Sequence, residues 1–160
     1  MQTTSTTQAN LTPTQIVESF LAALKAGDVD GALSWLSNDV EYQNHPLPID
    51  RGKAATTRTL RAFMRFANEF DVRMHNIAEH DDIVLTERTD ILRGPLLELE
   101  FWVCGTFQVR EGKIVLWRDR FDAGVFLYQL VTSPLRRLLS KREGHSLTNV
   151  KATARTSSPH

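Results

Sequence analysis

Residues 87–90 read Glu-Arg-Thr-Asp and residues 117–120 read Trp-Arg-Asp-Arg, each inside a stretch that alternates as a β-strand does, and upstream stands Tyr42-Gln43-Asn44. Successive strand side chains point to opposite faces, so Arg88 and Asp90 share one face, as do Tyr42 and Asn44. If Asp119 faces the same interior, one guanidinium lies between two carboxyls, with a phenol and an amide beside them. Such a group can divide acid and base work between two chemically identical side chains at neutral pH. The shared cation holds one carboxylate ionised, while burial and the like charge opposite keep the other protonated.

The last strand supports an inward Asp119. Val115, Trp117, Asp119 and Phe121 fall on one face and Ile114, Leu116, Arg118 and Arg120 on the other, so the aspartate keeps apolar company. A carboxylate there costs several kcal/mol unless a charge or hydrogen bond meets it. On the strand before, binary patterning points the other way. The face with Ile83, Leu85, Glu87, Thr89 and Ile91 is the more apolar toward its ends, which puts Arg88 and Asp90 outside. A structural ion pair tying two strands together explains the same residues without catalysis. Tyr42 as packing and Asn44 as a turn former before His45-Pro46 are equally plain accounts.

Other chemistry is not indicated. His75 and His80 fall on opposite strand faces, and no His/Cys/carboxylate cluster has zinc spacing. His45 reads as a loop residue, and Cys104, with no activating neighbour, as a small buried hydrophobe. Neither a glycine-rich phosphate loop nor a serine-nucleophile elbow is present.

The elements that must position these residues can be read in order. Residues 1–10 form a polar, low-complexity tail. Thr12-Pro13-Thr14-Gln15 has the pattern of a capping box opening a helix with Ile16, Val17, Phe20, Leu21 and Leu24 on one face and Gly27 at its end. Asp28 caps a second short helix burying Ala32, Leu33 and Leu36, which Asn38-Asp39 breaks. A strand over Val40–Gln43, a stiff loop His45-Pro46-Leu47-Pro48 and a third helix from about Lys53 to Asn68, burying Leu60, Phe63, Met64 and Ala67, follow. Period-two strands over Asp71–Glu79, Ile83–Leu92, Leu96–Val109 and Lys113–Phe121, with short joins, make an antiparallel meander. A last helix over Ala123–Val131 covers one end.

The whole is one α+β domain over residues 11–133, a curved and mainly antiparallel sheet around helices, with a basic and then Ser/Thr-rich tail over 134–160. An apolar pocket between sheet and helices is the default site, with Leu47, Leu99, Phe101 and Val103 as candidate lining. Nineteen basic and nineteen acidic residues in 160 cancel, so charge gives no case for nucleic acid or a membrane surface as the main partner. The single cysteine excludes an intramolecular disulfide framework and suits the cytoplasm. No stretch reads as a signal peptide or bilayer span.

Tyr42-x-Asn44, Arg88-x-Asp90 and Trp117-Arg118-Asp119 with Phe121-Asp122 after it resemble the active-site segments of the limonene-1,2-epoxide hydrolase family, over roughly residues 12–132. The resemblance implies the cone-shaped α+β fold of nuclear transport factor 2, a dimer, and a pocket with Arg88 and Asp90 inside. It also implies one-step addition of water to an apolar epoxide, giving a vicinal diol with no metal or organic cofactor. By the same analogy Asp119 is the base, Tyr42 and Asn44 fix the water, Asp90 is the acid and Arg88 bridges the two; the residues alone leave the two acids interchangeable. Ketosteroid isomerases, polyketide cyclases and non-catalytic carriers built on similar cones are the alternatives.

Overall fold

The structure is a computed structural model describing residues 11–95 and 97–134, with the backbone alone at Leu97. The tail expected over residues 1–10, nearly all of that expected over 134–160, and Leu96 lie outside the described residues.

Helix α1 (Pro13–Lys25) starts where its capping chemistry requires. The Thr12 N–H donates to Gln15 Oε1 at 2.9 Å and the Gln15 N–H donates to Thr12 Oγ1 at 3.2 Å. Two amides that a helix start leaves orphaned are thereby satisfied. Its five expected apolar residues are all buried. Asp28 caps α2 (Val29–Ser34) by accepting the Gly31 N–H at 2.8 Å. Leu36, expected on the buried face of that helix, instead opens strand β1 (Leu36–His45) and is buried there. Asn38 and Asp39 lie within β1, where its register on the last strand shifts between Leu36 and Glu41. A two-residue strand β2 (Asp50–Arg51) pairs back onto β1 in the region read as loop. Helix α3 (Lys53–Phe66) ends before the expected Asn68; Leu60 is buried, Ala67 is buried just past the end, and Phe63 and Met64 are only half-buried.

Strands β3 (Glu69–His80), β4 (Ile83–Gly94), β5 (Leu97–Arg110) and β6 (Lys113–Phe121) form the expected meander. Strand β1 adds to its far edge in parallel with β6, so the six-stranded sheet runs β2-β1-β6-β5-β4-β3. Register shifts between Met74 and Asn76 and between Gln108 and Val109 bend the strands. The sheet curls around α1, which contacts β3 through β6, while α3 packs on β1 and β2. No described helix is long and apolar enough to cross a membrane.

Helix α4 occupies residues 123–134 and is capped by Asp122 Oδ1, which accepts the Gly124 and Val125 N–H groups at 2.8 and 3.1 Å. It also closes a sheet edge. Pairing of β5 with β6 begins only at Val103, so the earlier described residues of β5 lie beyond the reach of β6. There Gln129 accepts the Glu100 N–H at 2.8 Å and donates to its carbonyl at 2.7 Å, and Ser133 Oγ accepts the Glu98 N–H at 2.6 Å. Backbone groups on an edge otherwise need water or another strand.

Three expected facings are corrected. On β4 the buried face is Val84, Thr86, Arg88 and Asp90, while Leu85 is 52% exposed. Binary patterning fails because the charged residues find partners inside. On β6, Ile114 rather than Val115 is fully buried, since the irregular pairing by which Val109 meets Ile114 and Gln108 meets Leu116 inserts one residue and flips the phase. Cys104 is exposed on the outer face of β5, opposite in parity to Val103 and Gly105.

Candidate active site

Strand register builds the site row by row. Asn44 of β1 pairs with Asp119 of β6, Asp119 with Gly105 of β5, and Gly105 with Thr86 of β4, so one row crosses four strands on the inner face. The next row is Tyr42, Trp117, Phe107 and Val84, and on the other side Arg88 pairs with Val103. Cross-strand partners on one face sit within side-chain reach of each other. The five polar residues singled out by sequence therefore converge although they span nearly eighty positions.

Arg88 is 1% exposed and spends its donors on three partners. Its Nε donates to Asp90 Oδ1 at 2.8 Å and its Nη2 to Asp90 Oδ2 at 3.2 Å, a bidentate grip. The same Nη2 donates to Asp119 Oδ2 at 2.7 Å, and Nη1 donates to Thr86 Oγ1 at 3.0 Å. The Phe107 ring centroid lies 5.9 Å from the guanidinium carbon, close enough for a cation–π contact. Asp119 Oδ1 is buried and has no hydrogen-bond partner among the described residues. The two carboxyls thus differ: Asp90 has both oxygens held and Asp119 only one.

Electrostatics mark three groups of the site. Burial, opposed by Arg88 and reinforced by the charge of Asp119, pushes the Asp90 carboxyl up to about 6. Burial works against the charge on Arg88, but Asp119 and Asp90 more than offset it and hold the guanidinium above its ordinary value. Burial, then the charge of Asp119, raises the Tyr42 phenol, which stays a hydroxyl at every physiological pH. The Tyr42 ring lies 4.1 Å from that of Trp117, centroid to centroid, which fixes its direction.

Asp90 and Asp119 reach the floor of a cavity of about 510 Å³, with Tyr42 and Asn44 beside them. Its walls are apolar, from Phe63 and Met64 of α3 to Phe101, Val103 and Phe126. Lining that cavity is why Phe63 and Met64 are not fully covered. Leu47 sits at the rim, 54% exposed. Leu99 is the exception among the candidate lining residues: it is wholly buried in the cluster with Ala67 and Leu92 and does not reach the cavity. Among the described residues no group of three His, Cys, Asp or Glu has the arrangement to hold a metal ion.

Sequence reasoning gave no role to Thr86 or Gly105. A Cβ on Gly105 would fall on Arg88 Nη1, 2.5 Å from Thr86 Oγ1 and 3.0 Å from Asp119 Oδ1, so the guanidinium crosses β5 through the gap this glycine leaves. A glycine inside an otherwise apolar strand is the available signal, since it marks close approach of another group.

Residues 11–132 match the limonene-1,2-epoxide hydrolase catalytic domain. The chain is 40% identical over 124 residues to epoxide hydrolase EphG of Mycobacterium tuberculosis, covering 78% of this chain and 80% of that one. It superposes on the solved structure of an M. tuberculosis LEH-like epoxide hydrolase with a TM-score of 0.68 at 37% identity, over 82% of this chain and 96% of the other. A protein of unknown function from Burkholderia pseudomallei, described as NTF2-like, shares the fold at 15% identity and a TM-score of 0.67, over 73% and 95% of the two chains. The chain carries this fold and belongs to the limonene-1,2-epoxide hydrolase family.

Proposed function

We propose that this protein hydrolyses an apolar epoxide, terpene-like, alicyclic or aryl, to a vicinal diol in one step and without a cofactor. The observation that carries the reading is the shared guanidinium: Arg88 Nη2 serves Asp90 and Asp119 at once, at the floor of an apolar cavity, and leaves Asp119 Oδ1 without a donor among the described residues. In this reading Asp119 takes a proton from a water molecule that the Tyr42 hydroxyl and the Asn44 amide orient. The water oxygen forms a bond to one ring carbon, the carbon–oxygen bond of the strained ring breaks, and Asp90 gives its proton to the departing oxygen. Asp90 supports the acid role because its carboxyl, near 6, retains its proton far more readily than an ordinary one. The cycle closes when a proton returns from Asp119 to Asp90. Membership in the family supports the choice of epoxide over other electrophiles.

The test is a single turnover of an alicyclic epoxide with excess enzyme in heavy-oxygen water. Direct attack by water puts the label into the first diol formed. Unlabelled diol would mean an aspartyl ester and overturn the one-step route, and no diol from any apolar epoxide would overturn the activity. The reading includes a homodimer, which sedimentation at micromolar concentration checks.

A further inference from the structure

We propose that Thr86 and Gly105 form a seat that sets the rotation of the Arg88 guanidinium and so keeps Asp119 Oδ1 free to act as the base. The inference rests on the hydrolase reading and extends it to two residues that would touch neither water nor substrate; both are positioning residues.

The geometry has two parts. Gly105 removes the one side chain that would occupy the line from Arg88 to Asp119, since a Cβ there would collide with Nη1. Thr86, 4% exposed, supplies the only acceptor that Nη1 has among the hydrogen bonds of the described residues, at 3.0 Å. The next oxygen across the gap is Asp119 Oδ1, 3.0 Å from the same Cβ position and itself without a partner among the described residues. A buried guanidinium N–H without an acceptor is costly, so it turns toward whatever oxygen is near. With the Thr86 hydroxyl in place, one Nη1 N–H is held on the side away from Asp119, which holds the arginine through Oδ2 alone. Without it, the planar guanidinium shifts as a unit toward β6 until Nη1 reaches Oδ1, Asp119 is gripped at both oxygens as Asp90 is, and the lone pair needed for a proton from water is occupied. The asymmetry between the two acids is therefore made by a neutral hydroxyl two strands away from the base, across Gly105.

The test is Thr86→Val, which keeps the branched shape and removes the hydroxyl, with Thr86→Ser as the conservative partner and cyclohexene oxide as the probe substrate. The valine variant should lose about 10- to 100-fold in kcat, the loss of one charge-assisted contact, with KM within about threefold. Serine should restore kcat to within about threefold of the parent. Gly105→Ala should be slower still, because its Cβ displaces the guanidinium itself. A crystal structure of Thr86→Val should show Nη1 within hydrogen-bond distance of Asp119 Oδ1. The proposal is overturned if the valine or alanine variant keeps near-parental kcat, if kcat falls only with the folded fraction measured by circular dichroism, or if serine is as slow as valine. It is overturned equally if Nη1 stays where it is in that crystal structure, a result that holds even if the parent protein hydrolyses no epoxide. That last outcome on the parent would sink the hydrolase reading alone.

Discussion

Two apolar clusters share the concave face of one sheet, and they are finished differently. The cluster around α1 holds Phe20, Phe107, Leu36, Val40 and Ile114, none of them above 1% exposed, and Phe20 meets the Trp117 and Phe107 rings edge-on at 4.8 and 6.2 Å. The second cluster, under α3 and α4, has a small sealed centre of Ala67, Leu92 and Leu99, and then a ring of Phe63, Phe70, Phe121 and Phe126 that stays half-covered. The first region is a solid and the second is a container. Tyr42 and Trp117 belong to the solid and also face the container, so the catalytic candidates stand on the seam. Preorganised charge needs neighbours that do not move, and a bulky apolar guest needs room; putting the acids on the seam meets both requirements.

That contrast can be broken at graded cost. Arg88→Ala should have the largest effect, because it strands two buried carboxyls: a stability loss on the order of 3–5 kcal/mol by denaturant melt, together with loss of turnover. Asp90→Asn and Asp119→Asn keep size and most hydrogen bonding, so each should cost about 10²- to 10⁴-fold in kcat while the melting temperature holds. A large melting-temperature drop with activity following the folded fraction would instead make the cluster a structural ion pair. Tyr42→Phe and Asn44→Ala come next, at about a hundredfold in turnover. If both keep near-normal rates on a good substrate, the water-orienting role is wrong.

A paired substitution sharpens the comparison itself. Phe20→Ala in the solid region should destabilise by about 3–5 kcal/mol and leave substrate preference alone. Phe126→Ala at the container wall should cost far less stability and change KM values across a series of epoxides of increasing size. Equal melting-point losses from the two would erase the distinction.

The smallest effect is the pH dependence of Asp90. Its carboxyl lies near 6 in the fold against roughly 3.9 in an unfolded chain. Between those values the folded protein keeps a proton that the unfolded chain has lost, so stability is greatest below about 4, falls as pH rises through that window, and levels off above 6. The total is on the order of 2–3 kcal/mol. Comparing urea titrations of the parent and Asp90→Asn from pH 4 to 7 isolates this slope, and identical slopes would remove the assignment. The kcat/KM profile should fall on its alkaline side as Asp90 gives up its proton.

Local chemistry explains what could be read from the sequence alone. The capping box at Thr12 and Gln15, the burying face of α1 and the limits of β6 depend on neighbours within a few residues, and they come out as read. The short joins left the meander of β3 to β6 little choice of topology. The five polar residues were legible because their types and two-residue spacings are unusual in strands, and family resemblance placed two of them inside when patterning did not.

What tertiary structure alone decided is everything that depends on pairing across the sheet. Which face of β4 is inner follows from partners on β5 and β6, because a buried charge is tolerated only where another chain segment meets it. The phase of β6 turns on one inserted residue, and Leu99 leaves the cavity wall because it packs into the sealed cluster with Ala67 and Leu92. The parallel seat of β1 against β6, which puts Asn44 beside Asp119, joins residues 75 positions apart, and no local pattern encodes that contact. Gly105 and Thr86 were in plain view, but their meaning lies in a guanidinium that arrives from the neighbouring row. Sequence set the types of the reacting groups, and the register between strands set which oxygen each proton donor reaches.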